Sequence, residues 1–285
     1  MIWFDGRVIP DDALRVSVLD RTFEHGLGLF ETLRTYQGRV PLLARHLERL
    51  QRSAHELGLS LSGVRLPGAD DVRALRDADG SPADRVVRLT LSGGLDASGG
   101  ATLWMRLLPL PEPLRHRGAV VDLGAWWIHA HDPFARHKSL NYWSRRRAYE
   151  SARALGFDEV LSVGGLQGVR TIWEGSRTNL FAVHRNVLMT PALDGPLVPG
   201  IMRGLVLERA RELSLDIATG RGLLASALAG ADEVFLTNSV RGIIPVSCVV
   251  DSTGADPMTW DAPGEWTQRL TLLVDDWLRA DEDAS

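Results

Sequence analysis

One stretch commits this chain to burying a helix. In LLARHLERLQRSAHELGL the apolar residues Leu43, Leu47, Leu50, Ala54 and Leu57 recur at intervals of 4, 3, 4 and 3. That is a single stripe at helical period, and it must find an apolar surface to cover it. Gly58 is placed to end the helix. Further along, RVVRLTLSGG offers such a surface. Val87, Leu89 and Leu91 point one way, and Arg88, Thr90 and Ser92 the other, the two-residue period of a half-buried strand. A helical stripe followed by an alternating strand predicts an α+β unit.

The rest of the chain extends this pattern. MIWFDGRVI reads as a short hairpin turning at Asp5-Gly6. GLFETLRTYQGRVPLL reads as a strand, a turn at Gln37-Gly38 and a second strand, and ADDVRALRDA as another helix. PLPEPLRHRG, residues 109–118, is rich in proline and arginine and is the candidate linker. Beyond it come a strand (AVVDLGAWWI), a helix ended by Gly156 (RRRAYESARALG), and a strand series (DEVLSVGG, VRTIWEG, TNLFAVHRNVLMTP). RGLVLERARELSL predicts a helix with Val206, Leu207, Ala210 and Leu213 on one side. LASALAGADEVFLTNS gives a short helix and a strand, IIPVSCVV a further strand, and residues 264–280 a last helix. The acidic end DDWLRADEDAS is expected to fray in solvent. The predicted division is a small α+β domain over residues 1–115 and a larger α/β domain over 116–285, linked at about 109–125.

Bulk properties narrow the function. The 285 residues carry a formal charge of −4, which gives no global field for nucleic acid or an anionic membrane. No apolar run approaches the ~20 residues of a membrane span. The single cysteine, Cys248, excludes an intrachain disulfide and fits a reducing compartment. MIWFDGRVIP has neither the charged nor the apolar region of a signal peptide. The expected location is the cytoplasm.

Among 32 basic residues there is one lysine, Lys138, in ARHKSLNYWSRRR. Arginine matches lysine for salt bridges and surface charge, but it cannot lose its proton and serve as an amine nucleophile. Schiff-base chemistry needs a neutral primary amine on a flexible stem. The same half of the chain holds two further features. VPGIMRG places Pro-Gly before a helix, either an ordinary helix entry or a site where the amides of Ile201 and Met202 would bind an anion such as phosphate. In TIWEGSRTNLF, Glu174 ends a strand before a Gly-Ser turn, where a carboxylate can hold a pyridine nitrogen protonated. Amine, phosphate cradle and pyridinium partner are the contacts that pyridoxal phosphate requires. The histidines of HAHDPFARH (His129, His131, His137) have no matching carboxylate and histidine set, so no metal is expected. HGLGLFE has glutamate, Glu31, where a dinucleotide fingerprint needs glycine.

These blocks occur in the order and spacing of a known family. DRTFEHGLGLFETLR, HLERLQRSA, RVVRLTLSGG, HKSLNYWSRRRAYESARALGFDEVL, WEGSRTNLF, TPALDGPLVPGIMR and ADEVFLTNSVRGIIPV together resemble the class IV aminotransferases, the fold type IV enzymes of pyridoxal phosphate. The resemblance implies a two-domain fold, with a small N-terminal α+β sandwich and a larger C-terminal α/β pseudo-barrel. It also implies a homodimer, with the cofactor between the domains. It makes Lys138 the Schiff-base lysine and proton shuttle, Tyr142 the partner of the cofactor's phenolic oxygen and Glu174 the pyridinium partner. Arg49, Ile201, Met202 and Ser239 are assigned to the phosphate, and Asn179 to the cofactor site. His25, Phe30, Arg88, Asn238, Val240 and Arg241 are assigned to a small amino substrate. Arg145, Arg146 and Arg147 are left to the solvated or dimer-facing start of a helix.

Two chemistries remain open within the family. Thr32 stands where branched-chain transaminases usually have glycine. With TNSVRGIIPV and RVVRLTLSGG it points to 4-amino-4-deoxychorismate lyase, the Thr32 hydroxyl assisting proton transfer. The alternative is transamination. The D-amino-acid type is disfavoured because GGLDASGG lacks that type's Arg-x-His pair. In the branched-chain type a tyrosine stands two residues before the strand arginine; here that position is Val86, while Arg88 matches the arginine.

Overall fold

The computed structural model describes residues 1–80, 83–114, 117–166, 169–220, 222–251, 254 and 256–280. The chain divides into two units. One comprises residues 1–111, 137–142 and, among the described residues, 278–280; the other comprises Glu112–Arg136 and Trp143–Trp277.

In the first unit β1 (Ile2–Phe4), β2 (Arg7–Ile9), β3 (Gly28–Arg34), β4 (Arg85–Ser92) and β5 (Leu103–Pro109) form an antiparallel sheet, in the order β2-β1-β5-β4-β3. Asp5 and Gly6, both at positive φ, turn the first hairpin. The helices are α1 (Arg21–His25), α2 (Leu43–Glu56) and α3 (Ala69–Asp79). Val87, Leu89 and Leu91 are fully buried. They pack with Leu43, Leu50 and Ala54 of α2 and with Val72 and Leu75 of α3, as the two periodicities require. Gly58 follows α2 at φ 66 and its N–H returns to the His55 carbonyl. The opposite sheet face carries Phe30, Thr32, Arg88 and Thr90.

Two expectations need correction here. Gln37 and Gly38 do form a turn, at φ 51 and 84, but the predicted second strand is a single bridge between Tyr36 and Arg39. Pro41 has no N–H to extend the ladder, and α2 begins at Leu43. The boundary at 115/116 also fails for residues 137–142. Phe30 N donates to the Lys138 carbonyl and Leu140 N to the Gly28 carbonyl, both at 2.9 Å. The segment thus satisfies the open edge of β3 and belongs to the first unit.

The second unit adds β6 (Ala119–Trp127), α4 (Trp143–Ala154), β7 (Glu159–Leu166), β8 (Val169–Gly175), β9 (Asn179–His184) and β10 (Val187–Pro191). Next come α5 (Ile201–Glu212), β11 (Asp216–Gly220), β12 (Leu223–Leu224), α6 (Ala225–Ala229) and β13 (Glu233–Asn238). The series ends with β14 (Gly242–Asp251), β15 (Met258–Thr259) and α7 (Glu265–Arg279), whose last residues fall in the first unit. The sheet runs β11-β10-β9-β13-β14-β6-β7-β8-β12, with β15 on β14. A further pairing of β8 with β9, Glu174 opposite Asn179, closes β6, β7, β8, β9, β13 and β14 into a ring. Its apolar filling includes Val121, Leu161, Ile172, Leu180, Leu236 and Val246. The α5 stripe is shifted from expectation: Met202, Leu205, Val206 and Ala210 are its buried apolar residues, whereas Leu207 and Leu213 are partly exposed. Of the acidic end, Asp275–Arg279 lie in α7, and residues 281–285 are outside the described residues. No helix among the described residues is long and apolar enough to cross a membrane.

Candidate active site

The sheet of the first unit presents the amine. Strand alternation puts Phe30 and Thr32 on the face away from the helices. Lys138 continues that face from the strand edge, its Nζ 4.3 Å from the centre of the Phe30 ring and 5.8 Å from that of Tyr142. The Phe30 and Tyr142 rings meet edge to face at 5.1 Å. Arg88 lies over the Phe30 ring at 3.6 Å and donates to the Thr32 hydroxyl at 3.2 Å. Burial, reinforced by Arg106 opposite, pushes the Arg88 guanidinium down to about 10. Lys138, Phe30, Tyr142, Arg88 and Thr32 are thus gathered at one place. His25 is not part of that group: it is exposed at the end of α1, 3.8 Å from Glu24. Trp143, beside Tyr142, is 77% exposed and provides no local packing.

Behind the sheet, on the helix-covered face, lies a network that no motif announces. Glu31 accepts from Arg49 Nε at 2.8 Å and from Arg49 Nη2, and pairs with His46 Nδ1 at 2.7 Å. All three side chains are buried. Burial pushes the Glu31 carboxyl up, but Arg49 and His46 more than reverse this and hold it well below the usual carboxylate range. Burial drives His46 down against the pull of Glu31. Arg49 is therefore no solvated helix residue, and Glu31 engages two of its three nitrogens. A sequence signal existed: Glu31 shares its strand face with Leu29 and Leu33, and a charge on a buried face needs a partner. His137, next to the lysine, is held by Ser53 at 3.1 Å and lies 3.6 Å from Glu56.

The second unit presents the carboxylate. Glu174, 2% exposed, ends β8. One oxygen accepts from Arg145 at 2.5 Å. The other accepts from Val198 N at 3.0 Å and from the Asn179 amide at 3.4 Å. The Asn179 amide also reaches the Val198 carbonyl at 2.9 Å. The turn between Glu174 and Asn179 is tied to buried Glu159 by Ser176 N at 3.1 Å and by the Ser176 and Thr178 hydroxyls. Arg145 corrects its sequence reading: it pairs with Glu174, while Arg146 and Arg147 are exposed.

Val198 leads into α5. Gly200 is its N-cap, with no side-chain cap bond, so the first N–H groups, Ile201 and Met202 among them, have no capping acceptor. A Cβ at Gly200 would stand 1.8 Å from Asn179 Oδ1. Asn238 ends β13 and its side-chain oxygen accepts from Val240 N and Arg241 N at 3.0 and 2.8 Å, folding the loop that carries Ser239. Burial, then neighbouring Arg177, lowers the Arg241 guanidinium.

The donor set suits pyridoxal phosphate. The first unit carries an amine beside two rings, which matches an aldehyde; the second carries a buried carboxylate, which matches a pyridinium, and an uncapped helix start, which matches a phosphate. His46 Nε2 is a buried polar atom without a hydrogen-bond partner, a further polar group beside Arg49. Among the described residues no group of three or more His, Cys, Asp or Glu is placed to hold a metal ion. His129 and His131 are exposed, with ring centres 5.9 Å apart.

Known structures share this architecture. The branched-chain aminotransferase of Thermoproteus uzoniensis is 25% identical, with a TM-score of 0.82 over 99% of this chain and 95% of its own. The 4-amino-4-deoxychorismate lyase of Pseudomonas aeruginosa is 30% identical, with a TM-score of 0.78 over 98% of this chain and 100% of its own. Aminodeoxychorismate lyase of Bacillus subtilis is 30% identical over 96% of this chain and 93% of its own. The fold is therefore that of the fold type IV aminotransferases, a mixed α+β architecture with a six-stranded barrel-like sheet. The sequence pattern of the amino-transferase class IV family matches residues 28–249, and the chain belongs to that family of pyridoxal-phosphate-dependent enzymes.

Proposed function

We propose that this enzyme is a 4-amino-4-deoxychorismate lyase, which eliminates pyruvate and leaves 4-aminobenzoate for folate synthesis. The observation that carries this reading is the hydroxyl of Thr32, 3.2 Å from Arg88 Nη1, on the sheet face that presents the Lys138 amine. Branched-chain transaminases usually have glycine at that position. The 30% identity to two lyases supports it further.

Bound pyridoxal phosphate supplies an electron sink for the carbanion left when a substrate loses its α-proton. The chain's residues do the rest. Lys138 would hold the cofactor through its amine, and the neutral amine would serve as the base for the substrate's α-proton. Thr32 assists proton delivery toward the leaving pyruvate. Arg88, with its charge partly desolvated, grips a substrate carboxylate. Phe30, Asn238, Val240 and Arg241 line the substrate side. Tyr142 would hold the cofactor's phenolic oxygen and Glu174 its ring nitrogen, with Asn179 steadying Glu174. Ile201, Met202, Ser239 and Arg49 would hold the phosphate. The protein acts as a cytoplasmic homodimer in this reading. His25, exposed at the end of α1, has the weakest structural support among the substrate residues.

Transamination is the second reading, favoured by the match of Arg88 to the branched-chain strand arginine and by the likeness to the Thermoproteus uzoniensis enzyme. The reactions separate in one assay. A lyase forms 4-aminobenzoate from aminodeoxychorismate and leaves the cofactor unchanged by simple amino acids. A transaminase converts the cofactor to its pyridoxamine form and releases a keto acid. Borohydride should attach the cofactor's mass to the Lys138 peptide, and Lys138→Arg should abolish both this adduct and turnover. A yellow, active Lys138→Arg variant would refute the assignment.

A further inference from the structure

The start of α4 holds three arginines in a row, and only one turns inward. Arg146 and Arg147 are exposed, and Arg146 pairs with Glu150 one turn on. The Arg145 side chain is 11% exposed. Its guanidinium lies 5.2 Å from the centre of the Trp126 ring and donates to the Ala135 carbonyl at 3.2 Å. The same nitrogen, Nη2, donates to Glu174 Oε1 at 2.5 Å. Three elements thus converge on one side chain: β6 through Trp126, the loop after it through Ala135, and β8 through Glu174.

The second Glu174 oxygen carries the contact onward. Val198 N donates to it at 3.0 Å, and Asn179 bridges Glu174 and the Val198 carbonyl. Residue 198 lies two positions before Gly200, the N-cap of α5. Arg145, Glu174, Asn179 and the approach to α5 therefore form one connected network. A buried carboxylate without a cation is costly. Arg145 meets that requirement, and the carboxylate is aligned by bonds to both oxygens.

We propose that Arg145 is a positioning residue for the cofactor, acting through Glu174. It holds the carboxylate at one geometry, so that the group meeting the cofactor ring and the loop leading to the phosphate cradle are set together. The proposal rests on the assignment of Glu174 as ring partner made above, and goes beyond it by giving a role to the residue that pairs with Glu174.

The test uses the full chain stripped of cofactor and pyridoxine 5′-phosphate as the probe. The probe has the ring and phosphate but no aldehyde, so binding is read without Lys138 chemistry or turnover. Arg145→Leu is expected to weaken probe binding about tenfold, the lower end of what supporting partners of a bound group contribute. Arg145→Lys keeps the charge but not the planar fork, and should lie between; it also serves if the leucine variant does not fold. On a Glu174→Gln background, Arg145→Leu should cause less than a twofold further loss. A purely structural arginine would weaken both backgrounds equally, and that result, or wild-type affinity in Arg145→Leu, overturns the proposal. If the wild-type chain itself does not bind the probe, the assignment of Glu174 and this inference both fail. Probe binding that is insensitive to Arg145 removes the inference alone.

Discussion

Glu31→Gln tests the buried network directly, since it removes a charge and almost no volume. In the native protein Glu31 holds three charge-assisted contacts, two from Arg49 and one from His46. Glutamine keeps one acceptor oxygen and turns the other position into a donor aimed at donors. At least one contact from Arg49 is lost, and Arg49, 4% exposed, is left with its charge uncompensated by Glu31. Hydrogen bonds to charged groups contribute about 1.5–3 kcal/mol each, and breaking a buried pair from one side costs about 3–5 kcal/mol. A loss of about 4 kcal/mol is expected, equivalent to roughly 8–16 °C in midpoint for a chain of this class. Urea unfolding at pH 7 measures it. The pH dependence supplies a second check. Because the folded Glu31 titrates below its unfolded value, its contribution is fully present above about pH 4.5 and is lost as pH falls toward the folded value. Glu31→Gln should therefore flatten the acid limb of the stability curve. A variant within about 1 kcal/mol of wild type, with the same acid limb, would refute the view that this pair is coupled and buried.

Two further predictions concern other parts of the site. Gly200→Ala places a methyl group 1.8 Å from Asn179 Oδ1, so Asn179 or the α5 start must move. Cofactor dissociation should rise about tenfold or more with little change in the apo protein's fold, and fluorescence titration reads it. His46 titrates below its unfolded value because it is buried. The unfolded chain thus binds more protons just below about pH 6.5, and stability falls as pH drops through that range. His46→Gln should remove part of the difference between unfolding free energies at pH 7.5 and pH 5.5; an unchanged difference would show that His46 is not the group responsible.

Local periodicity made much of the fold legible. The 4-3-4-3 stripe is α2, the Val87–Leu89–Leu91 alternation is the inner face of β4, and Asp5-Gly6 turns the first hairpin. Each of these is decided by neighbours in sequence. What sequence reading missed was decided by distant partners. Residues 137–142 join the first unit because the edge of β3 needs hydrogen-bond partners. A local exception is the strand after Gln37-Gly38, which stops because Pro41 and the start of α2 intervene. The site shows the same split. Lys138 stood out as the lone lysine, and Glu174 as a strand-end carboxylate. Arg145 was indistinguishable from Arg146 and Arg147, since its partner lies 29 residues away. Glu31 could have been found, as a charge in step with two leucines.

The ring of the second unit closes at a single pairing, Glu174 opposite Asn179. These two residues flank one tight turn, in which Gly175 N bonds to the Thr178 carbonyl at 2.8 Å. The seam that completes the barrel and the group proposed to meet the cofactor ring are therefore one structure. A chain that has not closed its sheet has no correctly placed carboxylate, and one that has closed it carries that carboxylate at the seam. A change at this turn would then act on the closure of the barrel and on the proposed ring partner together. Cofactor that engages Glu174 would act as a clasp on that seam.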